Sequence, residues 1–182
     1  AHKKDFVILP YRDLPPERQR EEAARLIERL MRRPVSWDGR EPRIQNLDAA
    51  LFGALREVDD LRMRRAIPPE VPALVEIGSE ALRLLEARAE ETRRFEPNLL
   101  LAFRAFLRGD ALPDLRTSAL DEKRPAWLRG YHVLLLGASR DDQAVAGAEK
   151  LYRGSGDVAL KTLLIEFLGA LRDRRAAPLL KE

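Results

Sequence analysis

The sequence contains no cysteine, only two histidines, and no apolar run of the roughly 18 residues that a membrane-spanning helix needs. Without cysteine, disulfide bonds and thiolate chemistry are excluded. His2 and His132 lie too far apart to share one helix turn, so the usual histidine and cysteine patterns of metal sites are missing. Sites for Mg²⁺ or Ca²⁺ built from carboxylates alone would leave no such pattern. We predict no metal ion, no cofactor and no membrane span.

The sequence also lacks an excess of either charge. Its 33 basic and 30 acidic residues leave a net charge of +3, and the pI of about 9.4 reflects the abundance of arginine. Charged residues make up 35% of the chain, above the usual share of about 25%. This composition favours helices with solvated faces. A net charge this small does not indicate a strongly basic field.

The first residues, Ala1 to Lys4, include neither an initiator Met nor an apolar signal core. Such a start is typical of a tag remnant or of a processed precursor. By default we expect a cytoplasmic protein. Export after signal removal stays open, because exported proteins without cysteine exist.

No segment alternates apolar and polar residues with the period of two that a strand shows, so the pattern predicts an all-α fold. From Pro16 to about Arg33, apolar residues recur at spacings of three and four and form one stripe. Its members are Ala23, Leu26, Ile27, Leu30 and Met31. Phe6–Pro10 is predicted to be a short extended arm or edge strand, and 34–46 a loop. Further helices are predicted after Asn46, over 70–94 with a break at Gly78-Ser79, from Pro97 to Gly109-Asp110, as a short helix capped by Gly109-Asp110, from Pro125, from Asp141 or Asp142 to Tyr152, over 158–171 and over 174–181.

A six-residue segment near the C-terminus occurs twice. Leu136–Asp141 and Leu168–Asp173 are identical at five of six positions, at an offset of 169 − 137 = 32 residues. A repeat of this period indicates stacked helical hairpins. We expect the two glycines, Gly137 and Gly169, to shape interhelical turns, and the aspartates to cap the helices that follow.

The segment 163–180 resembles HEAT-type repeats, notably the short HEAT-like class first described in phycobilin lyases. Gly169, Asp173, Ala176 and Pro178 occupy the places where that class ends its first helix and opens its second. The upstream copy keeps Gly137, Asp141, Ala144 and Val145, and fainter copies start at Gly109-Asp110 and Gly78-Ser79. The resemblance implies a right-handed α-solenoid of helical hairpins. It covers about 130–182 well, 70–129 weakly, and nothing before.

We therefore predict one compact domain with two parts. Residues 1–69 form a divergent N-terminal helical cap with a short extended arm, and residues 70–182 form the HEAT-like repeat region. Solenoids require such caps at their ends.

No catalytic constellation emerges from the sequence. Ser155–Thr162 superficially evokes a phosphate loop, but Leu160 stands where the glycine before the lysine is required, so a turn followed by a helix is the better interpretation. His132 lies in an apolar run and is expected to be a core histidine rather than a base. Trp127 and Tyr131, four residues apart, are likewise expected in the core.

Arginine is the one group that points to binding. Arg140 and Arg172 occupy equivalent repeat positions, and with Arg175 they are predicted to line one edge of the stack. Trp37, in a loop flanked by Pro and Gly, either docks on a helix or awaits a partner. Acidic residues interleave with basic ones, as in Glu21/Arg25, Glu28/Arg32 and Glu90/Arg94, which favours solvated helix faces over a nucleic-acid surface.

The leading hypothesis is a non-enzymatic scaffold that binds a protein partner through a concave face built from the second helices, with Arg140, Arg172, Arg175 and Trp37 as candidate contacts. Nucleic-acid binding, including DNA base repair as in HEAT-like glycosylases, is the alternative. A third option is a chaperone or lyase for a small chromophore, which would need a deep apolar pocket with an acid. An exposed solenoid end also leaves pairing with a second copy open.

Overall fold

The computed structural model describes residues 10–33, 67–106, 112–139, 141–171 and 174–181. These residues form helices joined by turns, with no strand among them, so the prediction of an all-α fold is confirmed. The α-helices are α1 (Pro16–Arg32), α2 (Glu70–Ile77), α3 (Ser79–Thr92), α4 (Pro97–Phe106), α5 (Leu112–Leu120), α6 (Ala126–Ala138), α7 (Gln143–Gly154) and α8 (Val158–Leu171). Short 3-10 turns cover Tyr11–Asp13, Arg174–Ala176 and Leu179–Lys181. Within these ranges no helix is both long and apolar enough for a membrane crossing.

Prolines mark the helix starts as the sequence predicts. Pro16 and Pro97 are the first residues of α1 and α4, and Pro125 immediately precedes α6. A first-turn residue has no helical partner for its N–H, so proline costs nothing there. The apolar stripe of α1 is also confirmed, because Ala23, Leu26, Ile27 and Leu30 are all buried.

Gly78 separates α2 from α3, at the break that the sequence predicts. Its φ is +81° and its ψ is −129°, a conformation nearly restricted to glycine. The Gly78 N–H still donates to the carbonyl of Leu74, and its own carbonyl accepts from Leu82, each at 3.1 Å. Gly78 occupies the N-cap position of α3, and Ser79 is the first residue of that helix.

Helix α6 lies at the centre of the packing. It contacts α3, α4, α5, α7 and α8. Its apolar run from Val133 to Leu136 is fully buried, as is Tyr131, and Trp127 is buried at its start. A helix that is apolar on all sides must be covered on all sides. The core placement of Trp127 and Tyr131 is thereby confirmed.

Two side chains from distant parts of the chain fix the start of α6. Glu90 of α3 accepts the backbone N–H of Leu128 at 2.8 Å, and the Trp127 ring N–H donates to Asp157, just before α8, at 2.9 Å. Asp142 occupies the N-cap position of the next helix, and Asp141 before it accepts the N–H of Gln143 at 2.9 Å, so the predicted cap contact to the first N–H of that helix is present. The hydrogen bond from Arg116 holds the pKa of Asp141 below its usual range.

Two series of contacts link every second helix along the chain. In one, α2 packs on α4, α4 on α6 and α6 on α8. In the other, α5 packs on α7, and α7 packs on the Arg174–Ala176 turn. Helix α3 departs from the second series, because it packs on α6 and makes no comparable contact with α5 within the described ranges.

A buried carboxylate joins α1 to α2. Glu70 is 1% exposed, and its two oxygens lie 2.7 and 2.9 Å from nitrogens of Arg33. Burial by itself would raise the pKa of Glu70, but the hydrogen bond from Arg33 and the charges of Arg33 and Arg29 outweigh it and lower that pKa. Beside this pair, Asn98 of α4 donates to the carbonyls of Leu30 and Arg33 and so caps the end of α1.

Two predictions about the repeat are wrong. Gly137 lies inside α6 and Gly169 inside α8, so neither glycine forms a turn. The segment 174–181 is not an α-helix but two 3-10 turns with Pro178 between them, since a proline inside a helix removes a hydrogen bond and clashes with the preceding turn.

Several predicted features lie outside the described residues. They are the arm before Pro10, the loop 34–46, the helix after Asn46, and the positions Gly109, Asp110 and Asp173. What the sequence predicts for these residues stays a prediction.

Candidate functional site

A cleft of about 260 Å³ opens where the second series of contacts is interrupted. Because α3 and α5 both pack on α6 without packing closely on each other, their facing sides leave a gap. We call this gap the α3–α5 cleft. It is lined by Leu82 and Glu86 of α3, Phe103 and Phe106 of α4, Asp114, Leu115 and Ser118 of α5, Arg124, and His132 and Leu135 of α6.

A buried polar pair lies within this mostly apolar lining. The Ser118 hydroxyl and Nδ1 of His132 are 2.7 Å apart, and the two residues are 8% and 9% exposed. The Phe103 ring meets the imidazole edge-on, with ring centres 6.1 Å apart. Side chains from two other helices, α5 and α4, therefore hold the imidazole in one orientation.

Burial lowers the pKa of His132 to about 4, with the positive charge of Arg124 acting in the same direction. The ring is consequently neutral at pH 7, with one nitrogen as a donor and the other as an acceptor. The sequence-based expectation of a core histidine is confirmed by its burial and its hydrogen bond.

Charged side chains stand at the rim of the α3–α5 cleft. Arg124 lies 3.7 Å from Glu86 in an ion pair. Asp114, in the first turn of α5, is exposed, and no cation of the described residues pairs with it. The rim thus carries two carboxylates and one guanidinium, of which one carboxylate is unpaired.

The Ser118–His132 pair does not form a nucleophile and base of the hydrolase kind. A histidine with a pKa near 4 is a weak base at neutral pH. In the described part of the chain no carboxylate hydrogen-bonds to the imidazole, so the third group that orients such a base is missing.

Of the binding residues proposed from the sequence, the structure describes Arg175. Its guanidinium donates to the carbonyl of Asp142 at 3.1 Å, which ties the turn after α8 to the start of α7. Arg140, Arg172 and Trp37 lie outside the described residues. The edge row of arginines therefore stays a prediction.

Ion pairs interleave the charges across the surface, although not with the partners that the sequence indicates. Arg25 pairs with Glu22 at 2.5 Å rather than with Glu21. Glu28 faces Arg88 of α3 at 3.6 Å, since side chains on a packed helix reach across to the neighbouring helix. The i, i+4 pairing assumed for these residues was wrong, and the interleaving itself is confirmed.

A broader groove of about 520 Å³ borders the start of α1. Its polar groups are already satisfied within the chain. Glu76 accepts the Tyr11 N–H at 3.0 Å, and Arg25 is bound to Glu22. We assign this groove no ligand.

Sequence reasoning missed the α3–α5 cleft. Leu82, Ser118 and His132 are separated by 36 and 14 positions (118 − 82 and 132 − 118) and belong to no motif. They come together only because α3 and α5 do not pack closely on each other. No local sequence pattern indicates that two helices will leave such a gap.

Comparison of the chain with models of known protein families, with curated proteins and with solved structures gave no match. The function of the cleft is therefore argued from its own geometry. The resemblance to HEAT-like repeats likewise rests only on the residues of the repeated segments that carry it.

Proposed function

We propose that the chain is a HEAT-like helical-repeat scaffold that binds a protein partner through the face formed by its second helices. The observation that carries the proposal is the pair of contact series. In the first series, α2, α4, α6 and α8 pack on one another in order, and α5 and α7 belong to the second. Repeats that touch mainly their neighbours are the defining property of solenoids.

The hairpins of this arrangement are α2 with α3, α4 with α5, α6 with α7, and α8 with the C-terminal turns. The first helices of the last two hairpins carry the repeated segment, and they stack on each other closely at Gly137. This contact supports a repeat in three dimensions. The right-handed solenoid and its concave face are part of the proposal.

Helix α1 has the character expected of an N-terminal cap. Its inner stripe is buried against α2 and α3, and its outer face carries exposed charges such as Glu17, Arg18 and Glu21. A polar outer face ends a stack without exposing a core. This supports the assignment of 1–69 as a divergent cap.

The charges argue against the nucleic-acid alternative. Most arginines of the described residues lie within 4 Å of a carboxylate, including exposed ones such as Arg18, Arg83 and Arg153. Phosphate binding needs Lys or Arg side chains that are free to contact the phosphates and so release the counterions condensed on the nucleic acid. A site made of paired charges would first have to break those pairs.

Selection of a random peptide library against the folded chain tests the proposal. We expect enriched peptides that protect backbone amides of α3, α5 and α7 from hydrogen exchange, and whose affinity changes little with salt. Protection confined to the outer face of α1 would contradict the proposal, as would failure to enrich any peptide. Tight binding of DNA that falls steeply between 50 and roughly 200 mM salt would favour the nucleic-acid alternative instead.

A further inference from the structure

We propose that the α3–α5 cleft seats one aromatic or large aliphatic side chain of a peptide, and that Asp114 at its rim pairs with a lysine or arginine next to that side chain. The inference rests on the proposed function and names the chemistry of the partner. It assigns the peptide an apolar anchor with an adjacent basic residue.

The size of the cleft favours a side chain over a whole ligand. Its volume is about 260 Å³, whereas pockets for drug-sized molecules span roughly 300–1,000 Å³. A bound chromophore would therefore protrude. One aromatic side chain, which is smaller than a drug-sized molecule, matches the space better.

The cleft also brings half-buried apolar side chains together in one concave place. Val158, 76% exposed, is the one large apolar residue that stands fully on the described surface. Leu82 and Phe106 are only half-buried, and both line the cleft. Covering these two residues removes apolar area from water, which stabilises a complex at about 25 cal/mol per Å² before the costs of association.

The inner end of the cleft is unfavourable for a charged side chain. The Ser118–His132 pair is neutral, and the Ser118 hydroxyl is hydrogen-bonded to Nδ1 of His132. A charged group placed here would lose its hydration without gaining an opposite charge. An aromatic ring can instead pack against Phe103 and the imidazole.

The rim supplies the charge preference. Arg124 is held by Glu86, so the carboxylate left over is that of Asp114. A basic residue beside the anchor would meet this carboxylate, and an acidic one would be repelled. Since Asp114 is exposed, the preference is modest, at most about fivefold for an exposed pair of this kind.

Titration of the isotope-labelled chain with capped dipeptides, followed by NMR, tests the inference. The probes are acetyl-Phe-Lys-amide, acetyl-Phe-Glu-amide and acetyl-Ala-Lys-amide. We expect the first to shift the methyl signals of Leu82 and Leu115 and the ring signals of His132. The second should bind about two- to fivefold more weakly, and the third should not bind. Equal binding of all three, or shifts elsewhere on the chain, would overturn the inference.

Two matched pairs of variants make the test specific. Asp114→Asn should abolish the preference for lysine over glutamate, whereas Glu166→Gln, which removes an exposed carboxylate of α8, should leave it unchanged. Leu82→Gln should weaken binding of both phenylalanine probes. Leu84→Gln alters another half-buried leucine of α3, outside the cleft, and should not.

The two proposals can fail separately. If selected peptides protect α3, α5 and α7 but bind Asp114→Asn and Leu82→Gln as well as the unaltered chain, the scaffold stands and the anchor is wrong. If the dipeptide occupies the cleft but the library yields no binder, the scaffold is wrong. The anchor site then remains as a binding site for small apolar groups.

Discussion

Gly137 of α6 lies against the ring of Phe167 of α8, so closely that a Cβ atom on the glycine would be 2.6 Å from Cε2 of that ring. Real Cβ atoms essentially never come so near another heavy atom. Phe167 is buried and cannot swing into solvent. The glycine is therefore a packing residue, which lets the two copies of the repeat stack.

Its counterpart in the repeat, Gly169, has no such neighbour. A Cβ atom there would meet nothing within 4 Å, and the residue is exposed. The same substitution at the two equivalent positions should thus have opposite effects. We expect Gly137→Ala to lower the free energy of unfolding by about 1–3 kcal/mol through overpacking. Gly169→Ala should raise it by up to about 1 kcal/mol through helix propensity. Urea denaturation of both variants measures the difference, and equal shifts would contradict the close contact.

His132 should make stability depend on pH. Its pKa in the folded chain is about 4, below its ordinary value of 6.5, so between these values the unfolded chain takes up a proton that the folded chain does not. The contribution of the neutral His132 to the free energy of unfolding is then fully present above about pH 6.5. It declines as the pH falls toward 4, by about 3 kcal/mol in total. His132→Gln should flatten urea denaturation midpoints across this window, and His2→Gln should not. An unchanged slope in His132→Gln would show that another group is responsible.

The Glu70–Arg33 pair should make stability depend on pH in a more acidic range. Because the folded-state pKa of Glu70 lies below its ordinary value of 4.5, its contribution is present above that value and is lost as the pH falls through the folded pKa. Glu70→Gln should cost roughly 1–3 kcal/mol at pH 7, since Arg33 and Arg29 lose a buried acceptor. It should also reduce acid sensitivity below pH 4.5. The exposed Glu17→Gln serves as the control in thermal unfolding, and equal effects of the two would count against the pair.

Two residues with positive φ should respond to substitution in opposite directions. Gly78→Ala forces a Cβ into a strained backbone conformation and should cost about 1–3 kcal/mol. Arg93, the residue after α3, adopts the left-handed conformation with φ of 47°. Arg93→Gly relieves that strain and should stabilise the fold by up to about 1 kcal/mol, after the entropy cost of glycine is subtracted. Calorimetric melting of the two variants provides the measurement, and a destabilised Arg93→Gly would be the contrary result.

The helices could be predicted because their causes are local. The stripe of α1, the prolines at the starts of α4 and α6, and the break at Gly78 each depend on residues within one or two turns. The capping aspartate at 141 was predicted for the same reason. Proline also explains the failure at 174–181, where the apolar pattern favoured a helix and Pro178 prevented it.

The partners of charged residues could not be predicted in this way. Glu28 faces Arg88 on another helix rather than Arg32 on its own, and Glu90 accepts a backbone N–H of α6. Spacing along one helix identifies which residues are neighbours on that helix. It does not say which neighbouring helix will offer a nearer cation or an unsatisfied N–H.

The sequence by itself determined an all-α chain with its helix starts, its central break and its buried apolar run at 133–136, because these follow from propensity, capping and periodicity over short distances. The tertiary structure alone decided that Gly137 is packed while Gly169 is open, and that Leu82, Ser118 and His132 line one cleft. Those outcomes depend on how closely helices distant in the chain approach each other. Two positions with the same local sequence can therefore have different surroundings.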